Sequence, residues 1–295
     1  MDSSVDIAET VGRSEYRTVN GVRLHTIVAG NAENPLVVLL HGFPECWLTW
    51  HRHIEPLVDA GYRVLVPDQR GYNRSDSPRR VRAYRTSELS TDIAELIASE
   101  SRESAHVVGH DWGGVVAWDL ALRRPAVVDR LVVVNAPHPT AYREHLLANP
   151  DQLRRSWYAA VFQLPRLPEY VCRLGDFRLL EGALRGQTGP ETIPDELLER
   201  YKHAWSRDGV LSGMLHWYRA AFRYPPTYDR NRISPPTLVF WGVSDPALSR
   251  WLAVESYHHC VEGSLEFVSA GHWVPHELPD RTTASIRRHF TTETN

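Results

Sequence analysis

The stretch from Ala105 to Gly114 limits what this chain can fold into more than any other. Ala105–His110 (AHVVGH) is a short apolar run of the kind that forms a strand buried on both faces. It passes through Gly109-His110-Asp111-Trp112-Gly113 directly into an apolar segment of helical length, which Pro125 stops near Arg124. Gly-x-Asp-x-Gly between a strand and a helix is the nucleophile-elbow pattern, with a carboxylate at its apex in place of serine. Glycine on either side lets the turn be tight enough to hold Asp111 in a strained, exposed position. The amides at the helix N-terminus would keep that carboxylate ionised, so it needs no base to activate it. The alternative is structural: Asp111 caps the helix through backbone amides, although a cap needs no flanking glycines.

Strands and helices alternate around this elbow. Tyr16–Val19 and Val22–Val28 are β-rich and meet at Asn20-Gly21, a two-residue hairpin signal. Pro35–Leu40 (PLVVLL) and Tyr62–Pro67 (YRVLVP) read as doubly buried strands. The first runs into the breaker loop His41-Gly42-Phe43-Pro44-Glu45, and a helix follows to about Ala60. Thr86 is placed to cap a helix carrying Leu89, Ile93, Leu96 and Ile97 on one face. Val128–Asn135 is the next strand. The rhythm breaks at about Pro137, and as far as Arg232 the chain reads as helical, aromatic and proline-broken. It resumes at Pro236–Trp241 (PTLVFW) and Ser264–Ser269 (SLEFVS). The expected fold is α/β, a mainly parallel doubly wound sheet built from 1–137 and 233–295, with a helical cap domain inserted over 138–232.

Composition narrows the partners. A formal charge of −3 over 295 residues gives no electrostatic footprint for nucleic acid or an anionic membrane. Cys46, Cys172 and Cys260 are odd in number and far apart, which predicts neither a disulfide framework nor a zinc site. His258-His259-Cys260 are adjacent, and adjacent side chains rarely point at one metal. Met1–Tyr16 is polar and acidic, and no run is long and apolar enough to span a bilayer. A cytoplasmic location is expected.

Two further residues stand where an elbow nucleophile needs them, in the chain order nucleophile, acid, histidine. Asp245 lies in Trp241-Gly242-Val243-Ser244-Asp245-Pro246, just past a buried strand, and His272 lies in Gly271-His272-Trp273, just past the last strand. Loops at one edge of such a sheet are where open α/β folds place ligands. The structural alternatives are a turn-forming Asp-Pro for Asp245 and a surface-loop histidine for His272. Their joint placement favours the catalytic reading.

HGFPE at 41–45, GHDWGG at 109–114, WGVSDP at 241–246 and GHW at 271–273 together resemble the epoxide hydrolases of the α/β-hydrolase fold, from about Tyr16 to Phe290. The resemblance implies that the backbone amides of Phe43 and Trp112 form an oxyanion hole, in a loop shaped by His41 and Pro44. Dehalogenases sharing the aspartate nucleophile are the runner-up. Haloalkane dehalogenases commonly place Asn where this chain has Phe43. Fluoroacetate dehalogenases place Arg where it has Trp112, which offers no cation.

Epoxide opening creates an alkoxide that needs a proton as the C–O bond breaks, and the family supplies it from two cap tyrosines. Trp157-Tyr158 and Trp217-Tyr218 resemble those two segments, with Tyr158 and Tyr218 in register. The alternative is that both are helical core aromatics, since Tyr218 shares a stripe with Leu211, Leu215 and Phe222. Trp112, Trp157, Phe162 and Trp217 are the expected substrate contacts, and Trp205 and Phe222 extend an aromatic pocket. One departure is Asn73, where the family usually has Gly; Asn tolerates left-handed backbone well enough for the turn to survive. The implied ligand is a small apolar or aromatic epoxide. No metal or organic cofactor is implied, and a homodimer is left open.

Overall fold

The computed structural model describes residues 10–186 and 188–292. Its strands are β1 (Arg13–Val19), β2 (Val22–Ala29), β3 (Leu36–Leu40), β4 (Arg63–Pro67), β5 (Ala105–His110), β6 (Val128–Val134), β7 (Thr237–Gly242) and β8 (Gly263–Val268). They form one sheet in the order β1-β2-β4-β3-β5-β6-β7-β8. The first two are a hairpin in which Val19 faces Val22. Its turn residues Asn20 and Gly21 have φ of 44° and 72°, the left-handed pair a two-residue hairpin requires. β2 also runs antiparallel to β4, and every later pairing is parallel.

The apolar runs fold as their patterns require. β3, β4 and β7 are buried at every position, because helices cover both faces of the parallel sheet. β8 is the edge strand and is exposed or half-buried throughout; its Glu266, largely covered by the helix Pro279–Thr291, pairs with Arg281 and Arg288 of that helix, which ties the edge strand to the helix beside it. One start differs from expectation. Thr86 is the first helical residue of Thr86–Ser99 and caps nothing, because Arg85 still has extended ψ (144°) and occupies the cap position.

Between β6 and β7 the chain leaves the sheet. It forms helices Pro139–Ala148, Pro150–Arg155, Trp157–Val161, Leu167–Arg185, Asp195–Ser206 and Val210–Arg223, and no strand among the described residues. The long Leu167–Arg185 segment is two helices joined at Leu174–Phe177, where the backbone is not helical. Two indoles fasten this insert to loops at the sheet's edge. Trp205 Nε1 donates to Pro44 O at 2.6 Å and Trp217 Nε1 to Arg70 O at 2.9 Å. In the Arg70 loop, Asn73 has φ 43° and donates to Asp68, so asparagine does fill the left-handed position.

Candidate active site

Asp111 joins β5 to the helix Trp112–Arg123 with φ 50° and ψ −121°. A non-glycine residue held there costs about 1–3 kcal/mol, so the strain sits in the aspartate itself. The neighbouring glycines serve close approach. A Cβ on Gly113 would lie 2.3 Å from Leu40 O, and one on Gly42 would lie 2.5 Å from Asp111 Oδ1. Asp111 occupies the N-cap position, yet its side chain makes no cap hydrogen bond. Its Oδ1 instead accepts the Phe43 N–H at 2.8 Å, and its Oδ2 lies 3.6 Å from His272 Nε2. The capping alternative thus lacks the bond that defines it. Asp111 and Phe43 follow β5 and β3, which lie side by side where the strand order reverses, the crevice that open α/β sheets offer to ligands.

His272 and Asp245 come from the loops after β8 and β7. His272 Nδ1 donates to Asp245 Oδ2 at 2.6 Å. The Asp245 carboxylate is buried and fully engaged: Oδ1 accepts the Ala247 and Leu248 amides at 2.8 and 2.9 Å, and Oδ2 also accepts Asn135 Nδ2 at 2.7 Å. Burial alone would raise the Asp245 pKa, but the facing imidazole and these donors outweigh it and hold it below the ordinary value. For His272, burial pulls the pKa down, and the Asp245 and Asp111 carboxylates overcome it, leaving the imidazole well above its usual value.

Sequence reasoning overlooked several residues that brace this pair. Asn135, immediately after β6, has φ 44°; besides holding Asp245 it accepts the Gly242 N–H at 2.9 Å. Its signal was available, a polar residue at the same strand end that yields Asp111 and Asp245 in neighbouring strands. Beneath the histidine loop, His110 Nε2 donates to His272 O at 2.9 Å. The other face of His110 lies 3.3 Å from Glu45, a buried carboxylate that also accepts His276 Nε2 at 2.6 Å and the Tyr201 hydroxyl at 3.1 Å. Burial would raise the Glu45 pKa, but His276 and His110 outweigh it and keep it well below the carboxylate range.

The insert contributes an aromatic roof. Phe162, Leu215 and Tyr218 are buried together, with Phe43, Trp112, Tyr158 and Ala159 packed against them. The Tyr218 ring meets Phe43, Trp112, Phe162 and Tyr158 at centroid distances of 5.2, 5.0, 5.0 and 6.0 Å, edge-on in each case, the geometry aromatic quadrupoles prefer. Burial raises both phenol pKa values; the Asp111 charge adds to the rise for Tyr158, and the Tyr158 and Asp111 charges for Tyr218. Both hydroxyls therefore remain protonated donors.

Other expected pocket aromatics lie elsewhere. Trp157 and Phe222 face outward and are exposed, because the helices carrying them turn Tyr158 and Tyr218 inward instead. Trp217 is buried behind the roof, edge-on to Trp112 at 5.8 Å and Tyr72 at 5.3 Å. Trp205 is one of the two indole fasteners. No cluster of three His, Cys, Asp or Glu side chains placed to hold a metal occurs among the described residues.

A family profile of the alpha/beta hydrolase fold matches residues 35–279, and the chain belongs to that family. Within it, the chain is related to epoxide hydrolases. It is 34% identical over 291 residues to Epoxide hydrolase 1 of Caenorhabditis elegans, covering 93% of this chain and 69% of that one. It is also 44% identical over 272 residues to the AB hydrolase superfamily protein YfhM of Bacillus subtilis, covering 90% and 94%. Among solved structures, a variant of an epoxide hydrolase from Bacillus megaterium superposes with a TM-score of 0.87 at 26% identity, covering 94% of this chain and 100% of that one. Another variant of that enzyme holds its product, a naphthyloxy-propane-1,2-diol.

Proposed function

We propose that this chain hydrolyses epoxides to vicinal diols through a covalent ester on Asp111, with residues 138–232 acting as the cap domain. The observation that carries the reading is the Asp111 carboxylate. It caps nothing, rests on the Phe43 amide, faces His272, and lies close enough to Tyr158 and Tyr218 for its charge to raise both phenol pKa values.

In the proposed route the epoxide oxygen accepts hydrogen bonds from Tyr158 and Tyr218 while Asp111 Oδ2 attacks a ring carbon. The C–O bond breaks, the nascent alkoxide takes a tyrosine proton, and a hydroxyalkyl ester remains. Esterification removes one of the two negative charges that hold His272 protonated, so its pKa falls and it can act as a base. His272, oriented by Asp245, then takes a proton from water, which attacks the Asp111 carbonyl carbon. The oxyanion develops on Oδ1, against the amides of Phe43 and Trp112. Collapse releases the second diol oxygen, protonated by His272, and the aspartic acid proton returns through solvent to the tyrosinate. No cofactor takes part. The aromatic roof favours an apolar or aromatic epoxide, in keeping with the product held by the Bacillus megaterium relative.

A single turnover in heavy-oxygen water tests this. The diol should carry an unlabelled oxygen from Asp111 and the protein should gain the label; label found directly in the diol overturns the covalent route. Halide release from haloalkanes, measured in parallel, should be negligible beside diol formation from an aryl epoxide; the reverse would assign the site to dehalogenation.

A further inference from the structure

Two short helices of the insert are amphipathic in the wrong direction for a core. In Leu167–Leu174 the apolar residues Leu167, Tyr170, Val171 and Leu174 recur at helical spacing and are 50%, 63%, 37% and 48% exposed. Pro168 and Cys172 fill the inner face. In Trp157–Val161, Tyr158 turns toward the aromatic roof while Trp157 (64% exposed) and Val161 turn out, and Leu164 prolongs the outer face. Arg219 binds the two segments side by side. Its guanidinium donates to Phe162 O and Leu164 O and pairs with Glu169. Phe222, one turn beyond Arg219, is 76% exposed. Exposed apolar residues gathered on segments that Arg219 ties together mark a docking site rather than ordinary scatter.

The charges beside it select the partner. Arg166 and Arg173 are exposed beside these apolar residues, Arg223 follows Phe222, and Arg178 is exposed just past the break at Leu174–Phe177. Among the described residues, the ion pairs of the insert leave out Arg166, Arg173, Arg178 and Arg223. The nearby acids are committed, Glu169 to Arg219 and Asp176 to Lys202. Over residues 138–232 there are fourteen Lys and Arg against eleven Asp and Glu, and elsewhere nineteen against twenty-five. Two copies meeting through this face would oppose arginine to arginine. An anionic lipid surface would accept apolar residues, Trp157 and Tyr170 at headgroup depth, and the arginines together.

We propose that this outer face of the insert docks on anionic phospholipid surfaces. It would do so peripherally, since no helix among the described residues is long and apolar enough to cross a membrane. The helix Trp157–Val161 then has lipid on its outer side and the candidate site on its inner side, placing the pocket beside the phase in which apolar epoxides dissolve. That last step rests on the proposed epoxide chemistry; the docking itself does not.

Sedimentation of the full chain with vesicles tests the docking without any turnover. Vesicles of equal parts phosphatidylcholine and phosphatidylglycerol should bind about tenfold more protein than phosphatidylcholine alone, and added salt should reverse the gain. The exposed double variant Tyr170→Ser/Leu174→Ser and the charge variant Arg166→Glu/Arg173→Glu should each lose the binding while retaining wild-type hydrolysis of a water-soluble epoxide. Equal binding to both vesicle types, no binding, or binding unaltered in both variants overturns the proposal. A dimer in size-exclusion chromatography that Tyr170→Ser/Leu174→Ser dissociates, with no vesicle binding, gives the face to a second copy instead. Binding without epoxide turnover would sink the proposed function and leave the docking standing.

Discussion

The sheet edge and the insert build the same site by opposite means. On the sheet side each functional group is fixed by short, directed bonds. Asp111 is held by a strained elbow and an amide, Asp245 by four donors, and His272 by a carboxylate in front and His110 behind. On the insert side, Tyr158 and Tyr218 are located by ring packing, and two indole N–H bonds fasten the helices above. Directed bonds fix a reacting atom within tenths of an ångström and tolerate no substitution. Edge-on aromatic packing fixes a surface and can be repacked, so it suits the part of a site that must fit different substrates.

On this contrast, losing the reacting carboxylate on the sheet side should abolish chemistry, whereas losing a roof tyrosine or a bracing residue should grade it. Asp111→Ala removes the nucleophile and should lower diol formation by roughly 10⁶-fold, the scale of losing a member of a cooperating triad; wild-type-like turnover would remove Asp111 from the mechanism. Tyr158→Phe and Tyr218→Phe each delete one proton donor and should cost roughly 10²–10⁴-fold in the alkylation step, read as the rate of ester appearance. An unchanged rate would reassign both to the apolar roof.

Acid should separate the two half-reactions. Attack by Asp111 tolerates a protonated His272, whereas hydrolysis needs it neutral. As pH falls through the imidazole pKa of the ester form, the ester should therefore accumulate, visible by rapid quench and intact mass as an adduct equal to the substrate. Hydrolysis that keeps pace with alkylation at low pH would exclude His272 as the base.

Asn135→Ala removes a bond to a buried carboxylate worth about 1.5–3 kcal/mol and should slow ester hydrolysis by roughly 10- to 100-fold, leaving alkylation nearly intact. It should also raise the Asp245 pKa, moving the acid limb of the hydrolysis step upward; an unmoved limb would make Asn135 purely structural. The smallest effect is expected from Trp205→Phe. Losing its bond to Pro44 O should cost about 1 kcal/mol and lower Tm by about 2–4 °C, with little change in the ester-forming rate.

The sheet was legible because its signals are local. Buried parallel strands announce themselves as apolar runs, and Asn20-Gly21 and Asp111 between glycines are turn chemistry written in adjacent residues. The same locality explains what was missed. Asn135 and Glu45 act on Asp245 and on His276 and His110, partners far along the chain that only the folded sheet edge brings near. The insert was legible as helical and aromatic, but not as to which aromatic ring faces the site. Helical spacing gives two faces and does not say which is buried, so Trp157 and Phe222 were expected inside and stand outside.

Charge followed the same rule. A net of −3 does not say where the exposed arginines of the insert stand, since composition averages over a surface that folding sorts into regions. The sequence by itself determined the elbow, the chain order of Asp111, Asp245 and His272, and the place where the sheet is interrupted, because each depends on neighbours along the chain. Which carboxylate oxygen meets Phe43, what braces Asp245 and which side of the insert faces outward were decided by the tertiary structure, because contacts between distant segments exist only once the loops of β3, β5, β6, β7 and β8 share one edge.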